Sequence, residues 1–163
     1  MSVLDSPPPP SGPEAAASDG RLQARLWLRL LTCTQMIEQE IRGRLRNGFE
    51  TTLPRFDVLA QLHAAGKPLT MGELSDRMMV TTGNVTGLID AMEQDGLVER
   101  RPNPADRRST LIASTESGQA LFARMAPAHR GWVEALTSDL TRAEMALLYE
   151  LLGKLKESVS RAI

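Results

Sequence analysis

A mainly α-helical fold, with a winged helix-turn-helix whose wing is two-stranded and a helical base drawn from both chain ends, is predicted by three observations. The first is a pair of short amphipathic helices within 70–94, the earlier opening on Thr70 and Glu73. These residues stand three apart, so each side chain can satisfy the other's orphan backbone amide. The later helix opens at Thr81 and sets Val85, Leu88, Ile89 and Met92 at i, i+3, i+4 and i+7, a single apolar stripe. The second observation is two short β-rich runs, 97–101 and 110–113, around a turn-rich loop, 102–108, with basic tips. The third is long helical periodicity on either side of this unit.

In chain order, residues 1–20 are mostly Pro, Ser, Ala and Gly around Pro7 to Pro10, and bury too little apolar surface to offset ordering entropy. A disordered tail of polyproline character is expected. From 21 to 46, Leu22, Leu26, Leu30, Cys33, Ile37, Ile41 and Leu45 step by three or four, widened by Trp27, Leu31 and Met36, which predicts a long helix. One small domain is not expected to cover so long a seam, so part of it should pack against a partner chain. Arg42, Arg44 and Arg46 near its end suit a helix C-terminus, or form a cationic patch for phosphates.

Pro54 fits the first turn of the next helix, whose stripe is Phe56, Leu59, Ala60 and His63 with Val58 and Leu62, closed by Gly66 and Pro68. On the helix after Thr81, the face away from the stripe carries Thr82, Gly83, Thr86, Gly87 and Asp90. Such short groups suit close approach to another surface. After the wing, Leu121, Phe122, Met125, Trp132, Val133 and Leu136 read as a helix kinked or briefly broken at Pro127. Thr141 and Glu144 form a second capping box before Leu148, Leu151, Leu152, Leu155 and Val159 at near-heptad spacing. The expected organisation is therefore one domain over 21–163, in which 21–48 and 116–163 make the helical base and 52–115 the winged unit.

Composition bounds this reading. The 163 residues are 42% hydrophobic, enough for one sizeable core. Net charge is −1, so affinity for a polyanion must come from local clustering of the 19 Lys and Arg. Arg100, Arg101, Arg107 and Arg108 supply such a cluster. A single cysteine, Cys33, excludes an intrachain disulfide framework. With neither a membrane-length apolar run nor a leader-like start, a cytoplasmic protein without membrane contact is expected. The two histidines, His63 and His129, have no metal-ligand spacing, and no phosphate loop or nucleophile motif is present, so neither an enzyme nor a cofactor is expected.

Met71-Gly72-Glu73-Leu74-Ser75, then Asn84 to Glu93, Gly96-Leu97-Val98-Glu99-Arg100, Asp106-Arg107-Arg108 and Thr115-Glu116-Ser117-Gly118, in that order, resemble the MarR family of bacterial regulators. The resemblance covers roughly 21–160. It implies a homodimeric, ligand-responsive regulator, usually a repressor, with the wing's Asp-x-Arg element reaching toward the minor groove of double-stranded DNA. Gly87 and Ala91 depart from it, standing where many relatives place Arg, so no contact is carried over from those positions.

Two copies related by a two-fold axis would set their recognition helices about 34–36 Å apart, on an inverted-repeat operator. Thr81, Thr82, Asn84 and Thr86 are the expected readers, beside Gly83 and Gly87, with Thr70 at the preceding cap. Asp106 is expected to orient an arginine, since a carboxylate beside phosphates is repelled. Arg108 is the one tied to Asp106, and Arg107 is freer. The resemblance also suggests a small-molecule effector in the groove between the first two helices. Its lining would come from Trp27, Leu30, Leu31, Thr34, Phe56, His63, His129 and Trp132. Segments 31–34, 51–57 and 83–87 are similar to the branch linked to aromatic-acid catabolism, whose effectors are aromatic carboxylates or their coenzyme A thioesters. A thioester would need Arg42, Arg44, Arg46 or Arg124 near its phosphates. The alternatives are a redox switch through Cys33, which its seam position and lack of a resolving cysteine disfavour, and a winged module for protein contacts.

Overall fold

The computed structural model describes residues 22–106 and 108–162, so the Pro-rich segment 1–20, Arg21, Arg107 and Ile163 lie outside the described residues. Two compact units divide after Met125.

The first unit contains α1 (Leu22–Phe49), α2 (Leu53–Ala65), β1 (Leu69–Thr70), α3 (Met71–Met78), α4 (Thr82–Gln94), β2 (Val98–Pro102), β3 (Thr110–Ser114) and the opening of α5 (Glu116–Leu136). Its core is the predicted stripes brought together: Val58 and Leu59 from α2, Leu74 from α3, and Val85, Ile89 and Met92 from α4 are fully buried. Leu45, Val98, Ile112 and Met125 complete it. Each such side chain contributes about 1.5–3 kcal/mol by leaving water. α2 begins with proline in its first turn and ends at Gly66, whose φ of 63° is a left-handed cap that glycine adopts without strain.

The wing follows the expected register, Arg100 opposite Ile112 and Arg101 opposite Leu111. A third strand was not expected. β1 pairs antiparallel with β3, Leu69 opposite Ile112 and Thr70 opposite Leu111, giving the order β1-β3-β2. Two residues are too few to show alternation, and Thr70 serves both as strand end and as cap of α3.

α1 matches the predicted helix but not the whole predicted seam. Ile41 and Leu45 are buried, whereas Leu22, Leu26, Trp27, Met36 and Ile37 are exposed in the single chain. Cys33, expected on the apolar seam, is exposed as well, and its neighbour Thr32 is buried instead. Of the kink or brief break expected at Pro127, the break does not occur: α5 is helical throughout from Glu116 to Leu136. Proline removes one hydrogen bond to the carbonyl four residues earlier. Here that carbonyl belongs to Ala123, which is exposed like Pro127 and so can be hydrated.

The second unit, from Ala126, holds the rest of α5 and α6 (Arg142–Ala162). The Thr141 cap forms as expected: its amide donates to Glu144 Oε2 at 2.8 Å, and the Glu144 amide donates to Thr141 Oγ1 at 3.3 Å. α6 buries none of its described residues, leaving Leu148, Leu151, Leu152 and Val159 open. Among the described residues no helix is long and apolar enough to cross a membrane.

Candidate nucleic-acid interface

The α3–turn–α4 unit is rigidly built. At the head of α3, Thr70 donates its amide to Glu73 Oε2 at 2.8 Å, and Thr70 Oγ1 accepts the Glu73 amide at 3.2 Å. The Thr70 amide and hydroxyl hold the Glu73 carboxyl below its ordinary range. Because Thr70 Oγ1 also bonds Glu73 Oε2 at 3.0 Å, little of this hydroxyl is left for an outside ligand. α3 ends at Met79, in the left-handed region with φ 56°, its amide bonded back to the carbonyls of Ser75 and Asp76. Buried Ser75 donates to the Gly72 carbonyl at 2.9 Å and lies 3.2 Å from Thr82 Oγ1, hydroxyl to hydroxyl, which fastens the turn to the start of α4.

From that start, Thr81, Thr82, Gly83, Asn84, Thr86 and Gly87 are all exposed, opposite the buried Val85, Ile89 and Met92. Thr81 caps α4 through its backbone only, so its hydroxyl makes no cap bond. Thr86 donates its hydroxyl to the Thr82 carbonyl at 3.0 Å, leaving its lone pairs outward. A β-carbon at Gly83 or Gly87 would meet nothing within 4 Å, so packing within the chain does not require glycine at either place.

Arg100 departs from the reading that made it part of an available basic cluster. Its Nη2 lies 2.6 Å from Asp90 Oδ1, its Nη1 bonds Glu93 Oε2, and its amide donates to Glu93 Oε1 at 3.1 Å. The hydrogen bond to Asp90 chiefly raises the guanidinium pKa. This arginine therefore clamps β2 to the middle of α4, while Arg55 and Asp95, 2.6 Å apart, tie the start of α2 to the end of α4. Arg101 is likewise paired, with Glu99. The clamp joins three residues on two elements, and sequence spacing alone does not say which charges meet.

The wing loop closes on its own side chains. Asn103 Oδ1 accepts the Ala105 amide at 3.0 Å, and Asn103 Nδ2 donates to Ser109 Oγ at 2.7 Å. Asp106 Oδ1 accepts the Arg108 amide at 2.9 Å. The expected tie between Asp106 and Arg108 thus runs through the backbone, and among the described residues no carboxylate pairs with the Arg108 guanidinium. Arg107, the other candidate, lies outside the described residues. An open cleft of about 620 Å³ gathers Thr70, Thr86, Asp106 and Arg108 with Gly72 and Thr110. A second, of about 650 Å³, holds Thr81 and Asn84 beside Ser75, Asp76, Met79 and Val80.

The proposed effector residues are gathered less completely. Phe56 and His63 both stack on Phe122, with ring centroids 5.8 and 4.8 Å away, a partner that the sequence reading placed only in a core stripe. Leu30 and Leu31 are half-buried, while Trp27 and Thr34 are exposed. Arg42 is bound to Glu38 at 2.7 Å and Arg44 to Glu40 at 2.7 Å, whereas Arg46 is exposed. Half-buried Asp57 has its carboxyl pushed up by desolvation and by Glu38, with Arg42 opposing. Arg124 lies over the Phe49 ring at 5.8 Å. In the second unit His129 and Trp132 meet edge-on at 6.5 Å, and burial pushes the His129 pKa down. Among the described residues no cluster of three or more His, Cys, Asp or Glu could hold a metal ion.

Comparison with known proteins agrees with this architecture. Residues 51–110 match the model of the MarR family. An uncharacterised HTH-type transcriptional regulator of Bacillus cereus is 31% identical over 137 residues, covering 83% of this chain and 90% of that protein. The transcriptional activatory protein BadR of Rhodopseudomonas palustris is 29% identical over 150 residues, 90% of this chain and 85% of BadR. Among solved structures, a cysteine-to-serine variant of MarR from E. coli in complex with operator DNA superposes with a TM-score of 0.74 at 29% identity, covering 80% of this chain and 92% of that one.

Proposed function

The chain belongs to the MarR family, whose members are transcription factors and not enzymes, and from that premise we propose that it regulates transcription by binding an inverted-repeat operator as a homodimer. The observation that carries this reading is the exposed face of α4, polar and small from Thr81 to Gly87, whose Thr86 shares an open cleft with Arg108 of the wing. Thr81, Thr82, Asn84 and Thr86 read base edges or phosphates from the head of α4, where the helix dipole and free amides favour a phosphate. Arg108, whose amide is held by the Asp106 carboxylate, or Arg107 next to it in sequence, reaches the minor groove. The relative from E. coli was solved on operator DNA, which supports the same use of this surface.

Dimerisation is supported by the apolar side chains left open on α1 and α6, because a two-fold partner is the commonest cover for such faces. A small aromatic carboxylate or its thioester then shifts the equilibrium only as far as it prefers the state that does not bind DNA. The effector residues of the first unit are Trp27, Leu30, Leu31, Thr34, Phe56 and His63. Since Arg42 is already paired, Arg46 is left as the cation of that helix end for a thioester phosphate. Repression is the proposed outcome, and BadR, an activator by name, makes activation the second reading.

A salt series of binding to the DNA immediately upstream of the protein's own gene, with and without aromatic acids and their thioesters, tests all of this. Tight, salt-sensitive binding is expected, with release by one effector class. No binding even at low salt would overturn the regulator reading, whereas binding without release would remove only the effector.

A further inference from the structure

The turn ahead of α4 carries a residue whose backbone conformation serves as the cap of α3 but whose side chain the fold itself does not explain. Met79 has φ 56° and ψ 39°, a left-handed conformation that glycine takes freely and a β-carbon resists. It is held there by backbone bonds to Ser75 and Asp76, and Val80 donates its amide to the Ser75 carbonyl at 3.1 Å. Yet the Met79 side chain is 90% exposed and that of Val80 is 42% exposed. The folded chain thus carries on this strained cap a thioether arm that packs on almost nothing within it.

The backbone that carries this arm is fixed in place. Met79 and Val80 line one open cleft with Thr81 and Asn84, two of the readers, and the turn is pinned by the contact of Ser75 with Thr82. Every other exposed residue from Thr81 to Gly87 is polar or glycine. An apolar lip on a polar reading surface suits an apolar group opposite, and the major groove of DNA offers one, the 5-methyl of thymine.

We propose that Met79, backed by Val80, reads the 5-methyl group of a thymine in each operator half-site and is a specificity-determining residue of this regulator. The inference rests on the DNA-binding reading above. Its test is a uracil scan. Each thymine of the bound fragment is replaced in turn by uracil, which removes only the methyl, and affinity is measured for the wild type, Met79→Gly and Met79→Ala.

The wild type should lose about fourfold in affinity per half-site at one position, the worth of one buried methyl, and both variants should be indifferent to that change. Met79→Gly should melt at the same or a higher temperature than the wild type, so weaker binding cannot be laid to unfolding. Uracil penalties that are absent in the wild type, or unchanged in the variants, overturn the proposal while leaving the regulator intact. A variant that binds operator normally but self-associates less would assign the lip to a protein partner and overturn it too. Failure of the wild type to bind DNA would instead overturn the reading on which it rests.

Discussion

Replacing Arg100 by Met keeps most of the side chain's length and removes its charge, which isolates the clamp between β2 and α4. In the folded chain the Arg100 side chain is 29% exposed and its guanidinium faces Asp90 and Glu93, whose side chains are 51% and 38% exposed. A charge-assisted hydrogen bond is worth about 1.5–3 kcal/mol when shielded and an exposed ion pair about 0.2–1 kcal/mol. Both bonds here lie between those limits, so about 1 kcal/mol each and about 2 kcal/mol together is the expected loss. The Arg100 amide still reaches Glu93 in the variant, so the strand does not detach. For a chain of this size that is a fall in Tm of about 4–8 °C at fixed protein concentration.

Operator affinity should fall further than stability does, because two carboxylates one helical turn apart are then left unneutralised near phosphates. Adding Asp90→Asn and Glu93→Gln to Arg100→Met should restore much of the binding while leaving the lost stability unrepaired. If Arg100→Met melted and bound as the wild type does, the clamp would be a surface ion pair of no consequence, and its assigned role in holding the wing would be wrong.

Three further substitutions probe other parts of the fold. At Gly118 a β-carbon would stand 2.1 Å from the Leu97 carbonyl oxygen and 2.8 Å from Ser114 Oγ, so Gly118→Ala should cost about 1–3 kcal/mol, seen as a lower urea midpoint. An unchanged midpoint would mean that the start of α5 can shift. Gly87→Arg meets no obstacle within the chain and replaces a poor helix former, so it should stabilise α4 slightly and steepen the salt dependence of DNA binding by about one phosphate's worth per protomer; an unaltered slope would place residue 87 away from the backbone of DNA. Asp57 has a raised folded-state pKa, so the folded chain holds that proton more tightly than the unfolded one, and stability present below the ordinary value of 3.8 is lost as pH rises through the folded-state titration. Asp57→Asn should therefore gain on the wild type in urea melts at pH 7 relative to pH 4, and an equal difference at both would show that this carboxyl is not desolvated.

Periodic and local features were readable from the chain. The Thr70 and Thr141 boxes, the stripe of α4 and the wing strands depend on residues within one turn or one hairpin, where spacing alone selects the geometry. Features that join distant residues were not. Asp90, Glu93 and Arg100 read as loose charges because any of several carboxylates could have taken the arginine, and β1 was too short to carry a pattern. The seam of α1 shows a different limit: Leu22, Leu26 and Ile37 have the spacing of buried residues, but periodicity does not say whether the same chain covers them. Pro127 left kink and break as alternatives because the cost of proline depends on whether the orphaned carbonyl can be hydrated, which the sequence does not record.

The attachment of Arg100 to Asp90 and Glu93 also bears on how such proteins can diverge. A recognition helix transplanted alone from a relative would arrive without the acidic pair that its new wing requires, or bring an acidic pair to a wing with no arginine. The stretch from Asp90 through Arg100 therefore has to travel with any exchanged recognition helix if its attachment to the wing is to survive.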